Sequence, residues 1–218
     1  MKKTFKISIV DYKVSNLKSV SNALNFLEIN NEITSNPKKI LSSDAAILPG
    51  VGSFSQGMKN LNGLSLIDPI KEFIFKNKPF LGICLGMQLL FDQSHEFCIT
   101  PGLGIFKGEV KSFKTINKTC KIPHLGWNNI EMNPSISKNK LLLSPFKNME
   151  KNQNLFYFVH SFIVLPNNSK DILTETNYEN VKFCSSILNK NVFASQFHPE
   201  KSGNFGLKVL KNFFSKFQ

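Results

Sequence analysis

The chain has 218 residues, of which 41% are hydrophobic and 21 are Phe, which excludes wholesale disorder and suffices for a full core without disulfides or metal. Its 27 basic and 15 acidic residues give a net charge of +12, yet every basic residue is Lys, and 25 Asn accompany them. Base readout and fork-like phosphate gripping lean on Arg, which is missing throughout, and no basic run exceeds two residues, so the charge reads as a lysine-rich surface rather than a nucleic-acid footprint.

Residues 5–10 predict a first strand: the apolar run is too short for an export signal, and Asp11 follows at once. Leu17, Val20, Ala23, Leu24 and Leu27 recur at helical spacing and predict a helix over 16–27. The polar stretch to Ser43 holds an edge strand and a turn at Asn36-Pro37. Residues 45–48 form a short buried strand, closed by Pro49-Gly50-Val51-Gly52, beyond which Phe54, Met58 and Leu61 pack on a helix face. A helix over 66–76 precedes a strand over 79–83, which runs straight into a helical stretch, 84–91. Alternation of this kind predicts a mostly parallel sheet covered on both faces. The second half changes character: strands over 105–113, 127–132, 155–164, 182–188 and 193–197 are joined by polar turns, and 206–217 closes as an amphipathic helix. No repeat or linker interrupts the chain, and no apolar stretch approaches the roughly 18 residues of a membrane span. The expectation is one α/β domain over 1–218, with a central mostly parallel sheet flanked by helices and an antiparallel extension.

Cys84, Cys98, Cys120 and Cys184 form no C-x-x-C pair, so neither a zinc knuckle nor a dithiol site is expected, and a reduced cytoplasmic protein fits best. Gly82-Ile83-Cys84-Leu85-Gly86 has a different meaning. A nucleophile flanked by glycines between a buried strand and a helix is the pattern of a nucleophile elbow, and the following helix start offers N–H groups to an oxyanion. The competing reading is a buried cysteine in a tight crossover. Among the four histidines, His198 follows a predicted strand and has Glu200 two residues on, so the carboxylate can fix the imidazole tautomer in a Cys-His-Glu triad. Glu200 serves equally well as a cap for the helix starting near Ser202. His95, beside Glu96, is expected to be solvated, while His124 and His160 pack or bond to backbone near the site. No histidine pairing suggests a metal. Residues 49–54 reach the same sheet edge as Cys84 and can complete an oxyanion hole; the rival phosphate loop lacks the Lys-Ser/Thr it needs.

These segments together resemble the class I (triad) glutamine amidotransferases, and within them the glutaminase subunits of imidazole glycerol phosphate synthases. The motifs are PGVGSF at 49–54, LGICLGMQLLF at 81–91, GLG at 102–104, PHLGWN at 123–128, YFVHS at 157–161 and QFHPEKS at 196–202. They span almost the whole chain. The resemblance implies Cys84 as nucleophile, His198 as general base and acid, and Glu200 as its orienting partner. It further implies an oxyanion hole from Leu85 and the Val51-Gly52 peptide, and glutamine contacts from Gln88 and the backbone around His160 and Ser161. No cofactor or metal is implied. The implied partner is a (β/α)8-barrel cyclase that receives the ammonia in a heterodimer and forms imidazole glycerol phosphate and aminoimidazole carboxamide ribonucleotide for histidine biosynthesis.

The first loop departs from the family pattern Asp-Tyr-Gly-x-Gly-Asn, reading Asp11-Tyr12-Lys13-Val14-Ser15-Asn16. Both glycines are replaced in a loop near the implied partner surface, to which Lys13, Asn16, Trp127 and Lys201 are assigned; Trp127 could equally be core. Phe162 stands where Tyr is common, removing a hydroxyl. Because of these departures the alternative acceptor is that of close paralogues, which supply ammonia for an amidino group on a surface-polysaccharide sugar.

Overall fold

The computed structural model describes residues 5–14, 16–142, 144–149 and 154–218; Ser15 lies outside them. The first half contains β1 (Ile7–Val10), α1 (Leu17–Phe26), β2 (Asn31–Thr34), α2 (Pro37–Ser42), β3 (Ala45–Gly50), α3 (Phe54–Gly63), α4 (Ile67–Phe75), β4 (Phe80–Cys84) and α5 (Leu85–Leu89). It is followed by β5 (Phe91–Ser94), β6 (Thr100–Pro101), β7 (Phe106–Ser112), α6 (Phe113–Ile116), β8 (His124–Asn129), β9 (Glu131–Met132) and α7 (Lys138–Leu142). The chain closes with β10 (Leu155–His160), β11 (Phe162–Pro166), β12 (Ile172–Tyr178), β13 (Val181–Asn189), β14 (Val192–Ser195) and α8 (Gly203–Phe214).

Eight strands form the central sheet in the order β2-β1-β3-β4-β14-β13-β12-β9. The β2-to-β14 half is parallel and the β13-β12-β9 flank antiparallel, as the expected α/β architecture with an antiparallel extension requires. Strand periodicity divides the core in two. Ile7, Ile9, Ile47, Leu81 and Ile83 face α1 and α8, whereas Val10, Ala46, Leu48 and Phe80 face α3, α4 and α5. No helix of the described residues is long and apolar enough to cross a membrane.

Several local expectations are corrected by tertiary pairing. Asn36-Pro37 is no simple turn: the Asn36 side chain accepts from the Lys38 and Lys39 N–H groups and Pro37 opens α2, a preferred start because Pro lacks the N–H that would be orphaned there. The helical stretch from Cys84 stops at Leu89, because the Leu90 carbonyl is taken by the Ile105 and Phe106 N–H groups and Phe91 joins β5. Residues 155–164 are not one strand. The chain breaks at Ser161, sending β10 to β8 and β11 to β7 in a different sheet. Likewise 127–132 splits into β8, which begins earlier at His124, and β9, which crosses to β12. β12, whose irregular register contains bulges, carries little alternation to announce it. The last helix starts at Gly203 rather than 206.

Candidate active site

Cys84 ends β4 and precedes α5 with φ 53° and ψ −109°, a conformation that costs a non-glycine residue about 1–3 kcal/mol and marks a turn held by its surroundings. The turn is tight because α5 starts directly on β3: a Cβ on Gly86 would lie 1.7 Å from the Leu48 carbonyl oxygen. Gly82 is confined less severely, its Cβ position being 3.0 Å from the Gly86 carbonyl oxygen and 3.1 Å from the Ala194 Cβ. The far glycine is the more sterically constrained of the two. Cys84 is buried, but unlike a mere crossover cysteine it opens onto a cleft of about 160 Å³.

β14 runs parallel to β4 with Ser195 beside Ile83, so residues 196–200 emerge at the same carboxyl edge. There the His198 Nδ1 donates to Glu200 Oε1 at 2.8 Å, with both side chains 2% exposed. Glu200 thus meets the imidazole rather than capping α8. A carboxylate only accepts, so the proton belongs on Nδ1, and Nε2 makes no hydrogen bond of ordinary geometry among the described residues. Burial pulls the His198 pKa down, but the charge of Cys84, its contact with the ring and the Glu200 carboxylate outweigh it and hold the pKa above the ordinary value.

The cleft is walled by Val51, Gly52, Leu85, Gln88, His160 and Ser161, all singled out in the sequence. The Val51 N–H is spent on the Val14 carbonyl at 3.0 Å. The Gly52 N–H, at φ +101°, makes no hydrogen bond among the described residues, and Leu85, in the first turn of α5, has no intrahelical acceptor. Those two are the donors the site can offer an oxyanion.

Glu96 also lines the cleft, which the sequence did not reveal. It accepts from the Phe54 N–H at 2.6 Å, and burial raises its pKa. No local pattern marks it, since only the folding of its hairpin onto the start of α3 brings it there. His95, its neighbour, remains partly exposed, 3.4 Å from Glu109.

His124 and His160 form a buried pair whose tautomers follow from one fixed acceptor. The Phe162 carbonyl can only accept, so His160 Nδ1 donates to it at 2.9 Å and His160 Nε2 accepts. His124 Nδ1 therefore donates to that nitrogen at 3.0 Å, and His124 Nε2 accepts from Asn128 Nδ2 at 3.2 Å. Burial pulls their pKa values down to about 4 for His124 and about 3 for His160. A larger, mainly apolar cavity of about 520 Å³ beside β9 and α7 is lined among the described residues by no cysteine, serine or histidine.

Comparison with known families agrees with this geometry: residues 8–217 match the model described as glutamine amidotransferase class-I. The chain belongs to the class I glutamine amidotransferases. The imidazole glycerol phosphate synthase subunit HisH 1 of Legionella pneumophila (strain Lens) is 42% identical over 210 residues, covering 95% of this chain and 97% of the relative. HisH of Caldanaerobacter subterraneus is 45% identical over 207 residues, covering 95% and 96%. Among solved structures, PurLQS from Thermotoga maritima superposes with a TM-score of 0.73 at 19% identity, covering 99% of this chain and 100% of that one. Its likeness is of fold.

In this amidotransferase the residues expected at a partner surface are not among those lining the cleft. Lys13, Asn16 and Lys201 are exposed, and Lys13 adopts φ 65°, the left-handed conformation that glycine would take without strain. Trp127 is not core: it is 54% exposed, with Leu125 at 62%. It stacks edge-on against Tyr157, whose carbonyl accepts from the His198 N–H.

Proposed function

We propose that this chain is the glutaminase subunit of an imidazole glycerol phosphate synthase, working in the cytoplasm and passing ammonia to a (β/α)8-barrel cyclase in histidine biosynthesis. The observation that carries the chemistry is the elbow: Cys84 faces a cleft while the His198–Glu200 pair stands behind it. The names of the HisH relatives support the acceptor reaction. Cys84 Sγ attacks the side-chain amide carbon of L-glutamine, and the oxyanion is met by the Leu85 and Gly52 N–H groups. The C–N bond breaks as His198 gives its Nε2 proton to the departing ammonia, leaving a γ-glutamyl thioester. His198 then takes a proton from water, which attacks the thioester and releases glutamate and the Cys84 thiolate. Gln88, the Glu96 carboxylate and the backbone at His160 and Ser161 hold the α-ammonium and α-carboxylate, while Lys13, Asn16, Trp127 and Lys201 face the barrel. The whole chain, 1–218, acts as this one domain.

The test is co-purification with the barrel cyclase, followed by glutamate release and by product formation with glutamine as sole nitrogen source. Turnover to imidazole glycerol phosphate is expected. A folded complex that releases no glutamate refutes the reading, and ammonia delivery only to a sugar-nucleotide synthase moves the chain to the surface-sugar acceptor.

A further inference from the structure

We infer that Gln196 is a further catalytic residue, whose side-chain amide donates a hydrogen bond to the Cys84 sulfur and locks the orientation of Gln88; this rests on the glutaminase reading above. Gln196 is fully buried one residue beyond β14, where the pairing of Ser195 with Ile83 sets it beside the elbow. Its Nε2 lies 3.5 Å from Cys84 Sγ, and its Oε1 is 3.0 Å from Gln88 Nε2. An amide can present oxygen or nitrogen on either side, but the surroundings permit one arrangement. The Phe162 main-chain carbonyl, which can only accept and also accepts from His160 Nδ1, lies 3.1 Å from Gln88 and must face its nitrogen. That nitrogen also faces Gln196, so Gln196 must answer with oxygen, which turns its own N–H group to the sulfur.

The result is a chain with one direction. It runs from a backbone acceptor through two buried amides to the nucleophile, and both Gln88 N–H bonds are consumed. The Gln88 oxygen is therefore the atom left for the cleft, where an acceptor suits the ammonium of an α-amino acid. At the other end, an N–H aimed at sulfur stabilises the thiolate more than the thiol, because hydrogen bonds to ionised acceptors are the strong ones. No proton is transferred by Gln196. It holds the sulfur ionised for attack and again as the leaving group when water opens the thioester.

The ionisable groups around Cys84 are His198, His160, Tyr12 and Glu96, and Gln196→Met changes none of them while nearly preserving side-chain length. The experiment follows Cys84 alkylation by iodoacetamide against pH in the isolated folded subunit, resolved by peptide mass, alongside glutamate release by the complex. For Gln196→Met, alkylation at pH 7 should slow roughly ten- to a hundredfold, with the pH midpoint displaced upward and kcat falling with KM for glutamine raised. A folded Gln196→Met protein with an unchanged alkylation profile overturns the inference. If that variant does not fold, the Gln196 side-chain amide NMR signal in the wild-type protein decides: it must move with ionisation of Cys84 and stay still over the same range in Cys84→Ser. A signal that ignores Cys84 also overturns it. Failure of the wild-type complex to release glutamate refutes the glutaminase reading separately, since the alkylation profile needs neither glutamine nor partner.

Discussion

Lowering the pH from 7 to 5 should destabilise this protein through one buried structure, the His124–His160 pair. Both imidazoles are held neutral by burial, with pKa values pulled down to about 4 and about 3. In the unfolded chain each returns to about 6.5 and takes up a proton over this interval, while the folded protein does not. Stability that depends on a depressed pKa is complete above the unfolded value and is lost as pH falls toward the folded one. Between pH 7 and 5 the loss comes to about 2 kcal/mol for each imidazole. His198, whose pKa is raised, acts in the opposite sense, gaining stability as pH falls. The comparison that isolates the pair is therefore urea unfolding of the wild type and His124→Phe at both pH values. Phenylalanine suits a ring stacked 4.7 Å from Phe158 and 4.1 Å from Tyr178, and His198 cancels in the difference. The variant should be less stable at pH 7, because the His160 and Asn128 nitrogens lose their partner, yet its loss on acidification should be smaller by about 2 kcal/mol. Equal losses in the two proteins would refute the neutral, tautomer-locked pair.

Four further outcomes are expected. Cys84→Ala should reduce glutamate release by the complex to background, whereas Glu200→Gln, which keeps a hydrogen-bond acceptor but loses the charge, should lower kcat on the order of 10²-fold. Gly86→Ala should cost about 3 kcal/mol or more in a urea melt, since its methyl group would meet the Leu48 carbonyl at 1.7 Å and α5 would have to leave β3. Tyr12 is fully buried and its hydroxyl has no hydrogen-bond partner among the described residues, so Tyr12→Phe should stabilise the fold by about 1 kcal/mol.

The grouping of the candidate site residues was largely legible in the amino-acid order, because its determinants are local. An elbow needs a nucleophile and small neighbours within five residues, and a His with a carboxylate two positions on carries its orienting partner with it. The strand–helix alternation of the first half was equally plain, since β1, β3 and β4 are buried along their whole length and read as apolar runs, while the polar β2 sits at the sheet edge. The two readings of Glu200 were separable only in three dimensions, where its oxygen lies 2.8 Å from His198. Trp127 was ambiguous for the same reason: a lone aromatic residue has the same signature in a core and on a docking face.

Tertiary structure alone decided the rest. Glu96 enters the cleft from a hairpin whose sequence carries no site pattern, and Gln196 meets Cys84 because β14 pairs with β4 across 112 residues of chain. The break at Ser161 and the capture of Leu90 depend on which strands compete for the same backbone groups. The physical distinction is range. Side-chain chemistry and backbone strain act over a few residues and are written in the order of the chain, whereas hydrogen-bond direction and pairing partners belong to atoms that become neighbours only when the sheet has formed.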